Sequence, residues 1–244
     1  MELEKIKSYW NERAEGFSLA NLEQLRTDAK DHWLAALRQH APRKEKLKCL
    51  DVGCGPGFLA ILLAKEGHDV TAVDYTEKML EHAAKNAEAE RVAIDLRRMD
   101  AQQLAFEDNS FDYIVSRNLT WNLEFPERAY AEWLRVLKPG GRILNFDGNH
   151  YLHHYDPLYK QFRESGAYAD PHKKEHLQGV DTGVIERISR NLPLSKVERP
   201  AWDLSFFARS AARKIASEIE RRSFANEAGQ PCSIIQSFYV CVEK

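Results

Sequence analysis

A short apolar run followed at once by alternating glycines constrains the fold of this chain more than any other feature. Residues 47–52 read as a buried β-strand, and Gly53, Gly55 and Gly57 precede an apolar helical segment at 57–66. A strand, a glycine-rich turn and a helix begin the βαβ units that bind nucleotide-like ligands. Glycine permits positive φ and lets a ligand lie against the main chain. The stretch therefore predicts a ligand cradle at the end of the first strand.

Asp51 distinguishes this turn from the common dinucleotide cradle. A carboxylate inside the turn repels a pyrophosphate but attracts a cation. The Gly-x-Gly-x-Gly spacing also differs from the Gly-x-Gly-x-x-Gly spacing of dinucleotide-binding proteins. A nicotinamide-dependent dehydrogenase is therefore the least favoured of the enzyme classes considered.

The sequence after residue 46 alternates between strand and helix patterns. Strands are predicted at 47–52, 69–74, 92–97, 111–116 and 141–147, and helices at 57–66, 76–89 and 124–137. Lys138-Pro139-Gly140-Gly141 is expected to end the last helix as a turn. Five strands alternating with helices predict a parallel sheet covered on both faces.

The chain is expected to divide into four segments around one α/β fold. The predicted fold is Rossmann-like and doubly wound, with a mostly parallel seven-stranded sheet, N-terminal helices and a helical insertion after strand five. Residues 148–200 are too long for a connecting loop. The segments are an N-terminal helical cap (1–46), a ligand-binding core (47–147), a helical lid (148–200) and a final part (201–244) with a helix near 203–210 and strands near 213–219 and 233–242.

Bulk composition argues against several classes of protein. The 244 residues carry a net charge of -2, whereas nucleic-acid binders are usually strongly basic. No apolar run is long enough to span a membrane, and the first residues lack the apolar region of a signal peptide. The four cysteines form no CxxC pair. We expect a cytoplasmic monomer or homodimer with reduced thiols, no nucleic-acid partner and no membrane partner.

Acidic residues close three successive strands of the predicted sheet. Asp51 ends the first strand, Asp74 ends the second, and Asp100 follows the third. Asp74 lies about twenty residues beyond the glycines, the spacing at which an acid binds ribose hydroxyls. An alternative role for Asp74 is to stabilise the N-terminus of the helix at 76–89. The three acids together suit a ligand with a ribose, an adenine and a positive charge.

On these residues the chain resembles the class I S-adenosylmethionine-dependent methyltransferases, in particular the type 11/25-like domain. The matching segments stand in the expected order at 50–57 (LDVGCGPG), 73–74, 100–101, 111–115 and 137–141. The resemblance covers roughly residues 47–146. It implies S-adenosyl-L-methionine as cofactor, S-adenosyl-L-homocysteine as product and a methyltransferase activity.

The resemblance assigns the glycine turn to the methionine end of the cofactor. It implies that the backbone at Gly53 and Gly55, with Gly57 in the same turn, approaches the methionine part. It also implies that Asp51 orders the turn and favours the ammonium or sulfonium side. Cys54 is expected to be a small filler rather than a nucleophile.

The same resemblance assigns the other strand ends to the adenosine. It implies that Asp74, with Tyr75, binds the ribose hydroxyls. Asp100 would accept from the adenine amino group, and Ala101 would supply a backbone contact. Asn118, just past strand four, would border the place where methyl donor and acceptor meet.

Aromatic residues near the N-terminus complete the implied cofactor site. Tyr9, Trp10 and Phe17 resemble the segment that closes over the cofactor in this superfamily. They could equally be ordinary packing of an N-terminal helix.

Histidines after strand five are the candidate catalytic groups. His150 is the first candidate general base and His153 the second, because imidazole titrates near neutral pH. Trp121, Tyr151 and Tyr155 could form an acceptor wall or the core beneath the lid. The segment 116–121 (SRNLTW) lacks the Asn/Asp-Pro-Pro-Tyr/Phe signature of amide and base N-methylation. We therefore expect a small organic acceptor of O-, N- or S-type.

One metal pattern occurs in the expected lid. Residues 172–176 (HKKEH) match the H-x-x-E-H arrangement of a class of zinc peptidases. Surface histidines on the lid are the favoured alternative, and no metal is expected.

Two further functions fit the same predicted cofactor site. The cofactor could donate its aminocarboxypropyl arm instead of its methyl group. The fold could also bind the cofactor without catalysis, as a sensor or a partner subunit.

Overall fold

One sheet organises the molecule. The computed structural model describes residues 2–167 and 173–244. Within these ranges the strands are β1 (Lys48–Val52), β2 (Asp69–Asp74), β3 (Asp95–Arg98), β4 (Phe111–Arg117), β5 (Leu137–Gly148), β6 (Lys214–Ala225) and β7 (Pro231–Glu243). Their order is β3-β2-β1-β4-β5-β7-β6. Strands β1 to β5 are parallel, and β7 lies antiparallel between β5 and β6. The predicted α/β class with a mostly parallel seven-stranded sheet is confirmed.

Helices precede, connect and follow these strands. They are α1 (Glu2–Arg26), α2 (Ala29–His40), α3 (Phe58–Lys65), α4 (Glu77–Ala89), α5 (Pro126–Val136), α6 (Pro157–Glu164), α7 (Lys174–Leu177), α8 (Gly183–Ser189) and α9 (Ala201–Ala208). Every residue of α3 from Phe58 to Leu63 is buried. A helix that is apolar on all sides belongs in the interior, which explains why α3 lies beneath the glycine turn.

The sheet has a hydrophobic core on each face. Successive side chains of a strand point to opposite faces. Tyr113 and Val115 of β4 therefore join the cluster that contains Phe58, while Ile114 joins the cluster that contains Trp133 of α5. This double burial makes the central strands apolar runs and holds their carboxyl ends in fixed positions.

The boundary before β5 differs from the prediction. The sequence predicts a helix to residue 137 and a strand from 141, but α5 ends at Val136 and β5 begins at Leu137. Leu137 already pairs with Phe111, and the next pair is Tyr113 with Arg142, so residues 138–141 form a bulge. The backbone of the bulge forms a hydrogen bond with the last residue, since the Gly140 N–H donates to the Lys244 carbonyl.

The bounds of three other strands also differ from the prediction. The third strand, predicted at 92–97, lies at 95–98, and the last two strands exceed their predicted 213–219 and 233–242. β6 is exposed along most of its length, so it carries little of the apolar pattern that marks a strand. Its ladder with β7 defines it instead.

A mostly helical stretch follows β5. A 3-10 turn at Leu152–His154 precedes α6, and α7 and α8 come before a second turn at Pro193–Ser195. In the part of the chain that the structure describes, no helix combines the length and the apolar composition needed to cross a bilayer.

Candidate active site

A cavity of about 600 Å³ lies at the carboxyl ends of the central strands. Open α/β sheets bind ligands at this edge, and the volume falls within the roughly 300–1,000 Å³ of typical ligand pockets. Its walls include Gly53 and Gly55 on one side and His150 on the other. The predicted cradle and the predicted acceptor region therefore share one space.

The glycine turn takes the left-handed conformations that glycine allows. Gly53 has φ +66, and a Cβ there would lie 2.6 Å from the Leu119 side chain. Gly55 has φ +52 and faces Phe17. Gly57 (φ +91) lies outside the cavity wall and lets α3 approach Ala83 of α4. The structure therefore separates Gly57 from the two glycines that line the cavity.

Asp51 lies beneath the turn rather than on the cavity wall. It is 2% exposed, and its Oδ2 accepts a hydrogen bond of 3.0 Å from the backbone N–H of Ala60. Burial raises the pKa of Asp51 to about 7, although the Ala60 N–H and the Arg117 charge oppose that rise. Asp51 thus joins the turn to α3 and can change its charge near neutral pH.

Asp74 and Tyr75 meet the cavity at the end of β2. Asp74 accepts from Gly55 N–H at 2.9 Å and from Thr76 N–H at 2.8 Å. Burial raises its pKa, and these backbone donors oppose that shift. The Tyr75 hydroxyl donates to Glu4 of α1 at 2.9 Å. Asp74 therefore braces the glycine turn, and Tyr75 fastens α1 to the edge of the sheet.

Three more of the predicted residues lie on the same wall. Asp100 Oδ1 accepts from Gln102 N–H at 2.9 Å, and the Ala101 carbonyl accepts from Trp133 Nε1 at 3.0 Å. Asn118 has φ +55, a conformation that asparagine tolerates better than most residues. The acids at 74 and 100 share the cavity as predicted, and their ligand roles stay predictions.

One face of α1 covers the cavity. Tyr9, Trp10 and Phe17 all line it, and the Trp10 and Phe17 rings are 5.4 Å apart. Arg13 lies between them and is 2% exposed. Its Nη1 donates to the His176 carbonyl, and it forms no ion pair with any described carboxylate. Buried charges are normally paired, so Arg13 is a cation suited to an anionic ligand group.

Arg117 is a second cation on this wall. Its guanidinium stacks 4.2 Å from the Phe58 ring centroid and 4.8 Å from that of Trp33. It donates to Asn21 at 2.8 Å and to Gln24 at 3.0 Å, which ties α1 to β4. Burial lowers its pKa to about 10, so it stays charged at neutral pH.

The opposite wall carries the candidate bases. His150 Nε2 lies 3.3 Å from Asp147 Oδ1, and the His150 ring is 5.7 Å from that of Trp121. His153 also lines the cavity, as do Trp121 and Tyr151, whose rings are 4.9 Å apart. Tyr155 is 47% exposed and lies outside the wall. The structure thus brings both predicted histidines to one cavity.

His153 belongs to a charged cluster with His154, Glu186 and Arg163. The Nε2 atoms of His153 and His154 lie 3.3 and 3.0 Å from Glu186 Oε2. Burial raises the pKa of Glu186, but the two histidines and Arg163 outweigh it and the pKa falls below its usual range. Three donors at this spacing could hold a metal ion, but the Arg163 guanidinium already contacts both Glu186 and His153.

The predicted H-x-x-E-H pattern is only partly visible. His172 lies outside the described residues. His176, Glu175 and Glu23 of α1 gather their donor atoms within 4.8 Å of one another. Lys173 also binds Glu23, so a cation is already present here too.

A wholly buried ionic network lies behind His150. Arg199 donates from Nη1 to Asp147 at 2.6 Å, from Nε to Asp203 at 2.9 Å and from Nη2 to Thr120 at 2.7 Å. The three charged side chains are 0% exposed. Burial would raise the pKa of Asp147, but the Arg199 charge and His150 hold it well below its usual range.

Sequence reasoning misses Arg13, Arg117 and this network. Arg13 could be found from its helical spacing with Trp10 and Phe17, and Arg117 from its place at a strand end. Arg199 carries no such signal, because about fifty residues separate it from Asp147 and its segment has no regular pattern.

Similarity to known proteins agrees with this geometry. Residues 50–145 match the family described as "Methyltransferase domain". A ubiquinone/menaquinone biosynthesis C-methyltransferase of a Ruegeria species is 35% identical over 57% of this chain and 57% of its own length. A ubiquinone biosynthesis O-methyltransferase of Coxiella burnetii is 35% identical over 39% of this chain and 41% of its own length. The chain thus spans about half the length of these curated relatives.

Solved structures share the fold. A SAM-dependent methyltransferase from Methanosarcina mazei superposes with a TM-score of 0.57 at 19% identity, over 86% of this chain and 96% of the other. The likeness supports the architecture alone.

Proposed function

We propose that this chain, whose residues 50–145 match a methyltransferase domain family, is a class I S-adenosylmethionine-dependent methyltransferase that transfers a methyl group to a small organic acceptor. One observation carries this proposal: Gly53 and Gly55 of the glycine turn line the same cavity as His150 and His153. S-adenosyl-L-methionine supplies the electrophilic methyl group when bound, and S-adenosyl-L-homocysteine is the product.

The residues on the cavity wall fit the parts of this cofactor. The backbone at Gly53 and Gly55 would lie against the methionine arm. Arg13 would receive the carboxylate of that arm, which explains a buried guanidinium that has no acidic partner among the described residues. Asp74 keeps free lone pairs for the ribose hydroxyls, and Asp100 would accept from the adenine amino group.

Two coverings would exclude water from the reacting groups. We assign residues 1–46 as the cap, with Tyr9, Trp10 and Phe17 over the cofactor. Residues 148–200 would form the lid over the acceptor, between the core at 47–147 and the closing part at 201–244. α1 packs against both α7 and α8, which supports a joint enclosure. Desolvation and alignment would then supply most of the rate enhancement.

The acceptor side favours a planar or apolar molecule with one polar end. Trp121 and Tyr151 offer aromatic surface, and His150 and His153 offer polar atoms. The quinone-pathway relatives support a small organic acceptor, one as a C-methyltransferase and the other as an O-methyltransferase. The near-neutral charge of -2 gives no support to a nucleic-acid partner.

The four cysteines bear on the compartment in which the protein acts. Cys49, Cys54, Cys232 and Cys241 are free thiols, which suits a reducing, cytoplasmic compartment. We propose a monomer or homodimer.

Calorimetry with S-adenosylhomocysteine tests the cofactor site. We expect wild-type protein to bind S-adenosylhomocysteine and to show no binding of NAD. Arg13→Met should weaken binding by roughly ten- to a hundredfold, because a charge-assisted hydrogen bond contributes about 1.5–3 kcal/mol. Lys5→Met, on the outer side of α1, is the matched control and should bind normally. Wild-type protein that binds NAD but not S-adenosylhomocysteine would refute the assignment.

A screen of hydroxyl, thiol, amine and carbon acceptors with labelled cofactor tests the transfer. A product heavier by one methylene supports methyl transfer, whereas gain of an aminocarboxypropyl group supports the alternative chemistry. Tight cofactor binding without turnover across every class would favour a sensor.

A further inference from the structure

We propose that Asp147, Arg199 and Asp203 form a buried positioning network that directs Nε2 of His150 toward Asp147 and leaves Nδ1 to accept a proton from the acceptor. This inference rests on the proposed function and narrows it. It assigns the acceptor to molecules with a removable proton on oxygen, sulfur or nitrogen.

The hydrogen-bond pattern of Asp147 fixes the tautomer. An ionised carboxylate can only accept hydrogen bonds, and the Arg199 charge holds the pKa of Asp147 well below its usual range, so Asp147 is ionised at neutral pH. The Nε2 atom lies 3.3 Å from Asp147 Oδ1 and therefore faces an acceptor, which favours a hydrogen on Nε2. In a neutral imidazole the proton then resides on Nε2, so Nδ1 holds the lone pair. Nδ1 has no hydrogen-bond partner among the described residues.

The carboxylate of Asp147 cannot rotate away from this geometry. Its Oδ2 accepts from Arg199, Thr120 and the Trp121 N–H. Its Oδ1 accepts from the Gly148 N–H at 2.8 Å. Each oxygen is thus held by the protein independently of His150, which makes the network a fixed support for the ring.

Charge balance gives the network a second effect. Two carboxylates share one guanidinium, which leaves one buried negative charge without a partner. Buried charges of this kind are costly unless they are paired. An imidazolium at His150 completes the pairing. A positive charge on the ring would lie 3.3 Å from the Asp147 carboxylate when the ring takes up the acceptor's proton.

Two further pairs of titratable side chains share the cavity wall with His150, and the members of each pair contact each other. Glu220 and Arg222 of β6 share the cavity wall and lie 3.4 Å from each other. His153 and Glu186 share the wall on the lid side and contact each other. Among the residues that the structure describes, Asp147 is the charged group in direct contact with the ring.

The proton balance of the step follows from these contacts. The acceptor's electron pair forms the bond to the methyl carbon, and the pair of the broken carbon–sulfur bond stays on sulfur. The acceptor proton passes to Nδ1 of His150. The positive charge then rests against Asp147 until the ring releases the proton to water.

Nitrogen-15 NMR of histidine-labelled protein without cofactor tests the positioning directly. Two-bond nitrogen–hydrogen correlations identify which ring nitrogen is protonated, and the spectrum of His150→Gln identifies the His150 signals. We expect the Nε2–H tautomer in wild-type protein and a mixture of tautomers in Asp147→Asn. The Nδ1–H tautomer in wild-type protein would overturn the proposal even if Asp147→Asn did not fold.

Kinetics with an acceptor from the screen provide the second readout. His150→Gln should lower kcat by about 10²- to 10⁴-fold, as expected for loss of a general base, while S-adenosylhomocysteine binding stays unchanged. His82→Gln, on α4 and outside the cavity wall, should retain activity. Full turnover by His150→Gln at every pH would refute the role of His150 as general base. Wild-type protein that does not bind S-adenosylhomocysteine would refute the proposed function instead.

Discussion

Asp51 and Asp147 are both buried carboxylates at strand ends, yet the protein treats their charges in opposite ways. Asp51 accepts one backbone hydrogen bond, and burial raises its pKa to about 7. Asp147 is just as buried, but Arg199 in direct contact holds its pKa well below the usual range. Burial alone disfavours a charge, and an adjacent guanidinium outweighs that penalty. The carboxylate beneath the glycine turn thus has a charge that can change near neutral pH, and the carboxylate behind His150 stays ionised there.

Removing the guanidinium should have the largest effect. Arg199→Met leaves Asp147 and Asp203 buried without a counter-ion, and we expect the free energy of unfolding at pH 7 to fall by about 3–5 kcal/mol. Urea denaturation measures it. Asp51→Asn is the matched control on the other side and should be near neutral. Equal stability of the two variants would remove the distinction between the two carboxylates.

The glycine turn offers a smaller test of the cofactor side. Gly53→Ala places a Cβ 2.6 Å from Leu119 at φ +66, and we expect a loss of about 2 kcal/mol or more from strain and overpacking. Gly140→Ala, at φ +76 with open space around it, carries the strain without the crowding. Only Gly53→Ala should also lose S-adenosylhomocysteine affinity in calorimetry. Equal affinity in both variants would argue against a cradle at Gly53.

The smallest expected effect is a pH dependence of cofactor binding. A cationic ligand favours ionised Asp51, so binding near pH 7 releases a proton and affinity for S-adenosylmethionine rises with pH. A pKa drop of one unit on binding corresponds to about a tenfold gain. Calorimetry from pH 6 to 8 measures it, with Asp51→Asn expected to be flat over this range. A wild-type profile as flat as the variant's would contradict the role of Asp51.

Asp51 and Asp147 give the free energy of unfolding opposite dependences on pH. Between its unfolded pKa of about 4 and its folded pKa of about 7, native Asp51 binds more protons than the unfolded chain. Its contribution to stability therefore falls as pH rises through that window. Asp147 contributes stability above pH about 4 and loses it as pH falls further.

The cofactor half of the molecule could be predicted closely from the sequence. The strand before Gly53 and the strand ending at Asp74 lie where the apolar pattern places them, because buried parallel strands read as continuous apolar runs. The acids at 74 and 100 meet at one cavity because parallel strands end at one edge. The local apolar pattern and the parallel topology were sufficient to predict the positions of these strands and of the two acids.

The acceptor half depended on contacts that no local pattern encodes. Arg199 reaches Asp147 across the fold, and the exposed β6 lacks the alternation that marks a half-buried strand. Residues 138–141 resemble a turn, but pairing of β4 with β5 and hydrogen bonds to Lys244 incorporate them into the sheet. Long-range hydrogen bonds overrode local propensity at each of these places.

The close approach of α1 to the segment around His176 depends on Gly16. A Cβ at this position would lie 2.0 Å from the His176 carbonyl, which also accepts from Arg13. Even one methyl group would hold the first helix and the segment around His176 apart. The absence of a side chain at residue 16 therefore sets how closely α1 approaches the segment around His176, and with it the hydrogen bond that holds Arg13.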